Sequence, residues 1–248
     1  MKKIAVVTGS RAEYGLLKKL ISSIYSSEIL DLQLIVTGMH LSPEFGLTVQ
    51  EIRTDGFNTF DQVEMLMSSD TGVGISKSIG LGVISISETL SRLGPDLILL
   101  LGDRYEIFAS AIAAMTLDIP IAHLHGGERT EAVIDEAIRH SITKISYYHF
   151  AATAEYRKRI IQLGEDPQRV FLVGGLGVDA IYDVSVLSKR QLESSLGIKL
   201  LKKSLLVTFH PVPGESLPVS KQLDQLLSAL EKLTDTSLIF TMPNADKD

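Results

Sequence analysis

Short, nearly unbroken apolar runs alternate along the chain with longer stretches in which apolar residues recur every three or four positions. The runs at residues 4–7, 32–36, 97–101 and 119–122 carry almost no polar position, the pattern of strands buried on both faces. Helical spacing predicts helices over 13–25, 72–93, 106–117, 131–145 and 153–163, several opening with an acidic residue that suits a helix N-terminus. Two further strands fit 148–152 and 170–173. Strands alternating with helices predict an α/β fold built on a Rossmann-like parallel sheet.

After Gly174-Gly175-Leu176-Gly177 the pattern changes. A polar connector containing Ser188-Lys189-Arg190-Gln191 leads to an apolar run at 205–209, helical spacing over 219–233 and a last run at 238–240. The reading therefore places an N-terminal Rossmann-like domain at 1–185. Residues 186–248 become a connector and the start of a second Rossmann-like domain, which begins near residue 200. Three such elements make a poor core, so this second domain is expected to be incomplete.

Composition narrows the function classes. The 248 residues carry a formal net charge of −6 with a pI near 5.5, and no dense Lys/Arg run could track a phosphate backbone, so nucleic acid is not an expected partner. Cysteine is absent, which excludes disulfides and thiolate metal sites and fits a reducing cytoplasm. The apolar stretch after Met1-Lys2-Lys3 is too short for a signal peptide. No later run approaches the roughly 20 residues of a membrane span, so a soluble, cytoplasmic protein without a membrane partner is expected.

Chemistry-bearing residues cluster where strands end. In an open parallel sheet the ligand crevice lies beyond the carboxyl ends of the strands. Arg11 and Glu13 follow the first run, within Gly9-Ser10-Arg11-Ala12-Glu13-Tyr14-Gly15. There a helix N-terminus would favour an anion, or the segment is a tight turn with a surface arginine. It has neither the P-loop Lys-Ser/Thr nor the full dinucleotide glycine spacing. Asp103 and Arg104 follow 97–101: Asp103 either takes a proton or holds a sugar hydroxyl, or caps the next helix with Arg104 as its counter-ion. His123 and His125, two apart on a strand, would face one side. That could serve a metal, but a buried, hydrogen-bonded histidine is the commoner outcome and no metal is expected. Glu128 and Asp135 straddle the loop into the next helix and either fits a solvated first-turn acid, with Glu128 beside Gly126-Gly127 the better placed of the two for a reaction centre. His210 before Pro211 is either a turn residue or, if the second segment faces the first, a donor to a departing phosphate. Asp166-Pro167 and Pro211-Val212-Pro213-Gly214 read as turns.

Taken in order, Gly9 to Gly15, Val36-Thr37-Gly38-Met39-His40, Gly102 to Phe108, His123 to Glu128, Asp135 to Lys144 and Phe209-His210-Pro211 resemble the hydrolysing UDP-N-acetylglucosamine 2-epimerases. The similarity is greatest to the bacterial enzymes that feed sialic and legionaminic acid synthesis. It implies a GT-B-like architecture of two Rossmann-like domains with a UDP-sugar in the cleft between them. It also implies elimination of UDP across C1–C2 to a glycal, then hydration to the free 2-epimer, without a cofactor. On this resemblance Asp103, Glu128, Asp135, His125 and His210 are the catalytic candidates. Arg11, Glu13 and Arg104 are the candidates for binding UDP or sugar. Many members carry Glu where this chain has His125, and the family's later Gly-Asn-Ser-Ser segment has no counterpart here, so the chain alone is expected to bind UDP weakly. A homo-oligomer is expected for the intact protein. UDP-N-acetylglucosamine and a UDP-2,4-diacetamido sugar both fit this reading. A GT-B glycosyltransferase and a non-catalytic UDP-sugar-binding module are the alternatives.

Overall fold

The structure, a computed structural model, describes all residues except 68, 70, 131–133, 184, 211–216 and 242–248. The chain divides into two compact units, Met1–Tyr182 and Asp183–Asp248.

In the first unit seven strands form one sheet: β1 (Lys2–Thr8), β2 (Leu30–Thr37), β3 (Asp61–Val63), β4 (Leu97–Leu101), β5 (Ile121–Leu124), β6 (Tyr148–Ala151) and β7 (Val170–Leu172). Every pairing is parallel and the spatial order is β3-β2-β1-β4-β5-β6-β7. The helices of this unit are α1 (Arg11–Tyr25), α2 (Val49–Thr54), α3 (Gly72–Leu93), α4 (Tyr105–Thr116), α5 (Ile134–Ile145), α6 (Ala154–Gln162) and α7 (Leu176–Asp183).

The period of two along each strand sorts the core into two layers. Ile4, Val6, Leu34, Val36, Leu99 and Leu101 face α1 and α2, where they meet Tyr14, Leu17, Ile21 and Ile52. Their neighbours Ala5, Val7, Ile35, Ile98 and Leu100 face α3, α4 and α5, where they meet Ile86, Leu90, Ile107 and Ile142. This explains why the strand runs are apolar throughout: both faces are covered. Fully burying each such aliphatic side chain contributes about 1.5–3 kcal/mol. The sheet grows outward from β1 in one direction through β2 and β3, and in the other from β4. The strand order therefore reverses between β1 and β4, which puts the topological switch point at the paired ends carrying Arg11 and Asp103.

Some expected bounds move. The fourth run, expected at 119–122, is the strand Ile121–Leu124, because the Ile119 N–H is taken by the Ala114 carbonyl at the end of α4 and Pro120 has no N–H to give the sheet. The helix expected from 131 is described from Ile134, and residues 131–133 and the 211–214 turn lie outside the described residues.

The second unit holds α8 (Lys189–Leu196), β8 (Lys203–Val207), α9 (Val219–Leu230) and β9 (Thr236–Phe240), with β8 and β9 paired in parallel. Helix α8 occupies the stretch read as a connector. Ser188 and Gln191 close a capping box on its first turn, a Ser-x-x-Gln signal that the charged composition obscured.

Candidate active site

Site residues of the first unit sit where strand ends turn into helices. Ser10 caps α1 through its side chain, which accepts from the Glu13 N–H, and this starts the helix at Arg11. Arg11 is exposed. Glu13 is only 8% exposed, and its Oε2 accepts the Gly9 N–H at 2.8 Å, so its carboxylate acts on the turn itself. Burial first, and then the charge of Glu106, pushes the Glu13 carboxyl up to about 7. Behind it, Arg104 Nε lies 3.9 Å from Glu13 Oε1 and 3.4 Å from Glu106 Oε2. Gly38, at φ +58°, passes so close over Glu106 that a Cβ there would come within 2.9 Å of Oε1.

At the end of β4, Asp103 does not cap α4: the cap position is Arg104, which supplies no capping side chain. Instead Asp103 Oδ2 is paired with Arg139 Nη2 from α5. Arg139 also donates to Thr130 Oγ1 at 3.0 Å and to Glu136 Oε2 at 3.3 Å, and Glu136 Oε1 lies 3.1 Å from His140 Nε2. A carboxylate–guanidinium–carboxylate–imidazole chain thus runs along the first turns of α5, beside the half-buried Asp135. Sequence reasoning quoted Arg139 only within a motif. Its signal is a cation between Ile138 and Ile142 on the buried stripe of an amphipathic helix, where an unpaired charge would be costly.

The two histidines part company. His123 is the third residue of β5 and fully buried, whereas His125 lies past the strand at φ +61°, which breaks the alternation that would have put both on one side. His123 Nε2 lies 2.8 Å from the Gly102 carbonyl, which can only accept, so Nε2 carries the proton and Nδ1 faces the Thr143 hydroxyl at 3.3 Å. Burial lowers the His123 pKa to about 4 and keeps it neutral. It is a structural link between the end of β4 and α5. His125 Nδ1 lies 2.8 Å from Glu128 Oε1, across the Gly126-Gly127 turn. That turn needs glycine at 127, where φ is +75° and a Cβ would run into the Tyr156 carbonyl oxygen. Arg159 donates to the Gly127 carbonyl from α6 and holds the loop from below.

His210 follows β8 in the second unit and is exposed. Among the described residues, no three His, Asp or Glu side chains converge as a metal-ligand group, and no helix is long and apolar enough to cross a membrane. In the first unit Arg11 thus stands exposed at the start of α1 after β1, Asp103 follows β4, the His125–Glu128 pair follows β5, and Asp135 lies in the first turn of α5.

A model of the UDP-N-acetylglucosamine 2-epimerase family matches residues 22–248, and the chain belongs to that family. It is 41% identical over 247 residues to a Campylobacter jejuni protein named GDP/UDP-N,N'-diacetylbacillosamine 2-epimerase (hydrolyzing), an alignment covering 100% of this chain and 64% of that protein. It is 42% identical over 247 residues to polysialic acid biosynthesis protein P7 of Escherichia coli, covering 99% of this chain and 63% of the relative. Among solved structures it is similar to the S. aureus MnaA–UDP co-structure, with a TM-score of 0.81 at 21% identity over 100% of this chain and 64% of that one. The fold is the α/β, GT-B-like architecture of these proteins. The chain spans a little under two thirds of the length of the curated relatives it matches.

Proposed function

We propose that this chain supplies the first domain and the acid–base groups of a hydrolysing 2-epimerase, which converts a UDP-2-acetamido sugar to the free 2-epimer and UDP. The observation that supports the reading is that Arg11, Asp103 and the paired His125 and Glu128 all follow the carboxyl ends of neighbouring parallel strands, with the strand order reversing between β1 and β4. Relatives named as hydrolyzing 2-epimerases of UDP-linked sugars support the same substrate class.

The reaction sets two demands. The C2 proton is not acidic, so the C1–O bond must loosen first, and the leaving diphosphate needs cations and oriented N–H groups. Arg11 and the α1 N-terminus are suited to that task in this domain, and His210 is the candidate that the second unit carries. Elimination followed by hydration then needs one group to accept the C2 proton and others to deliver protons to the glycal and take one from water. Asp103, His125, Glu128 and Asp135 form that set, and the paired Arg139 holds Asp103 in place. Glu13 and Arg104 serve the ligand through the Gly9–Arg11 turn. No cofactor is needed for these steps. The whole protein acts in the cytoplasm as a homo-oligomer, a reading that the absence of cysteine supports for the compartment.

The test is UDP release from UDP-N-acetylglucosamine and from a UDP-2,4-diacetamido sugar by the protein continued to its relatives' length. Asp103→Asn should lower turnover by about 10²–10⁴-fold with the fold retained. Near-wild-type turnover would remove Asp103 from the chemistry, and no UDP release from either sugar by the unsubstituted protein would overturn the reading.

A further inference from the structure

His125 carries two costs at one position. Its backbone sits at φ +61°, in the left-handed region that few non-glycine residues adopt. Its ring Nε2 is buried and has no hydrogen-bond partner among the described residues, which ordinarily costs about 1–3 kcal/mol. His123, two residues earlier, spends both ring nitrogens on the fold, one on the Gly102 carbonyl and the other on Thr143. His125 spends one.

That one is fixed from outside the ring. Nδ1 lies 2.8 Å from Glu128 Oε1, and a carboxylate only accepts, so Nδ1 carries a proton. The loop joining the two residues is held: Gly127 turns at φ +75° against the Tyr156 carbonyl, and Arg159, itself paired with Glu155, donates to the Gly127 carbonyl. The His125 backbone is tied as well, its N–H donating to the Phe150 carbonyl at 3.1 Å. In a neutral ring held this way Nε2 is left bare, as an acceptor.

We propose that Glu128 is a positioning residue that acts through His125: it fixes the Nδ1–H form of the ring, and His125 Nε2 is the atom that meets the sugar and exchanges a proton with it. The sugar in this statement rests on the nucleotide-sugar reading above; the place of the proton on Nδ1 does not. A neutral imidazole takes a proton from the sugar at Nε2 and, as imidazolium, returns it from the same atom. The Nδ1–H stays on the carboxylate throughout, and no proton moves onto Glu128. The His125 side chain is 22% exposed, so a sugar seated against the ring reaches Nε2 after a small local shift, as catalytic hydrogen bonds commonly tighten only in the complex.

The experiment reads the ring nitrogens directly, by long-range nitrogen–proton NMR of the 248-residue chain in alkaline buffer, where imidazoles are neutral, with His125→Gln assigning the resonances. His125 should show its proton on Nδ1 and a bare Nε2, the reverse of His123, whose unchanged pattern reports that the sheet is intact. Glu128→Ala should move the His125 proton to Nε2, the form an unsupported imidazole prefers. A wild-type ring protonated on Nε2 overturns the proposal whatever the protein turns over, and so does a Glu128→Ala ring that keeps its proton on Nδ1. The second arm follows UDP release by the protein continued to its relatives' length, with whichever of the two UDP-sugars it turns over. His125→Gln and Glu128→Ala should each lower kcat by about 10²–10⁴-fold with KM changed by less than about 3-fold. Glu128→Gln separates positioning from proton transfer, because its amide oxygen accepts from Nδ1 but takes no proton. Where its spectrum retains Nδ1–H, kcat should stay within about 10-fold of wild type, and where it does not, kcat should fall with Glu128→Ala. Retained Nδ1–H with kcat as low as in Glu128→Ala would make Glu128 the proton-transferring group, and lost Nδ1–H with kcat kept would take Nε2 out of the chemistry; either overturns the assignment. No UDP release by the unsubstituted protein contradicts the nucleotide-sugar reading and the work given to Nε2, while the spectrum alone decides the Nδ1–H form.

Discussion

The two units of this chain use the same strand–helix–strand grammar with opposite results. In Met1–Tyr182 the sheet is seven strands wide and covered on both faces, so the interior positions of β1, β4 and β5 vanish from solvent. In Asp183–Asp248 two strands and two helices leave no described residue buried, and Leu206 on β8 is 71% exposed. Local signals are sound in both units: α8 has a complete capping box and α9 a strongly apolar stripe. The difference lies in how many neighbours each element has, which is what makes a core. Chemistry follows the same division, since pinned acid–base groups need a rigid floor and the first unit supplies it.

The comparison would break first under core truncation. Leu17→Ala, at a fully buried contact between α1 and the sheet, should cost about 2–5 kcal/mol in denaturant unfolding of the first unit. Leu206→Ala should change stability by less than about 0.5 kcal/mol. Equal effects at the two positions would mean that the second unit has a core of its own.

Acid sharpens it next. His40 and His123 have pKa values depressed to about 4 from an ordinary 6.5, so the folded first unit binds fewer protons than the unfolded chain between those limits. Stability contributed by keeping them neutral is present above pH 6.5 and lost as pH falls toward 4. Glu13, raised to about 7, acts in the opposite sense: its share is present below 4.5 and lost as pH rises through 7. Buried His149, its pKa lowered first by desolvation, adds to the two histidines, so they outweigh Glu13 and the unit should lose stability on acidification from pH 6.5 to 4.5, read from unfolding midpoints. Glu13→Gln should make that loss steeper.

The smallest effect concerns the Gly126-Gly127 loop. Gly127→Ala places a Cβ at φ +75° against the Tyr156 carbonyl, and should cost about 1–2 kcal/mol in thermal unfolding while displacing Glu128 from His125. An unchanged midpoint would show that the loop relaxes freely.

Much of this was legible in the chain. The apolar runs located β1, β2 and β4 to within a few residues, because doubly covered strands have no polar alternation to blur them. The start of α1 was read two residues late, at Glu13, because the Ser10 cap, whose side chain satisfies the Glu13 N–H, went unread. Other features needed the third dimension. The strand β3, only Asp61–Val63, has no pattern long enough to read. His123 and His125 were separated by a backbone turn at His125 that spacing does not announce. Asp103 found its partner, Arg139, at a sequence separation of 36. The Glu13–Arg104–Glu106 cluster joins two helix starts that are neighbours only because β1 and β4 pair.

The central claim is that this sheet edge serves 2-epimerisation with release of the nucleotide. It is tested most directly by proton NMR of the reaction in D₂O, run with the chain continued to its relatives' length and a UDP-2-acetamido sugar. The account expects UDP and a free 2-epimeric sugar carrying deuterium at C2, because the C2 proton is removed to the set of Asp103, His125, Glu128 and Asp135 and replaced from solvent. A released or transferred sugar that keeps both its C2 configuration and its C2 proton would contradict it.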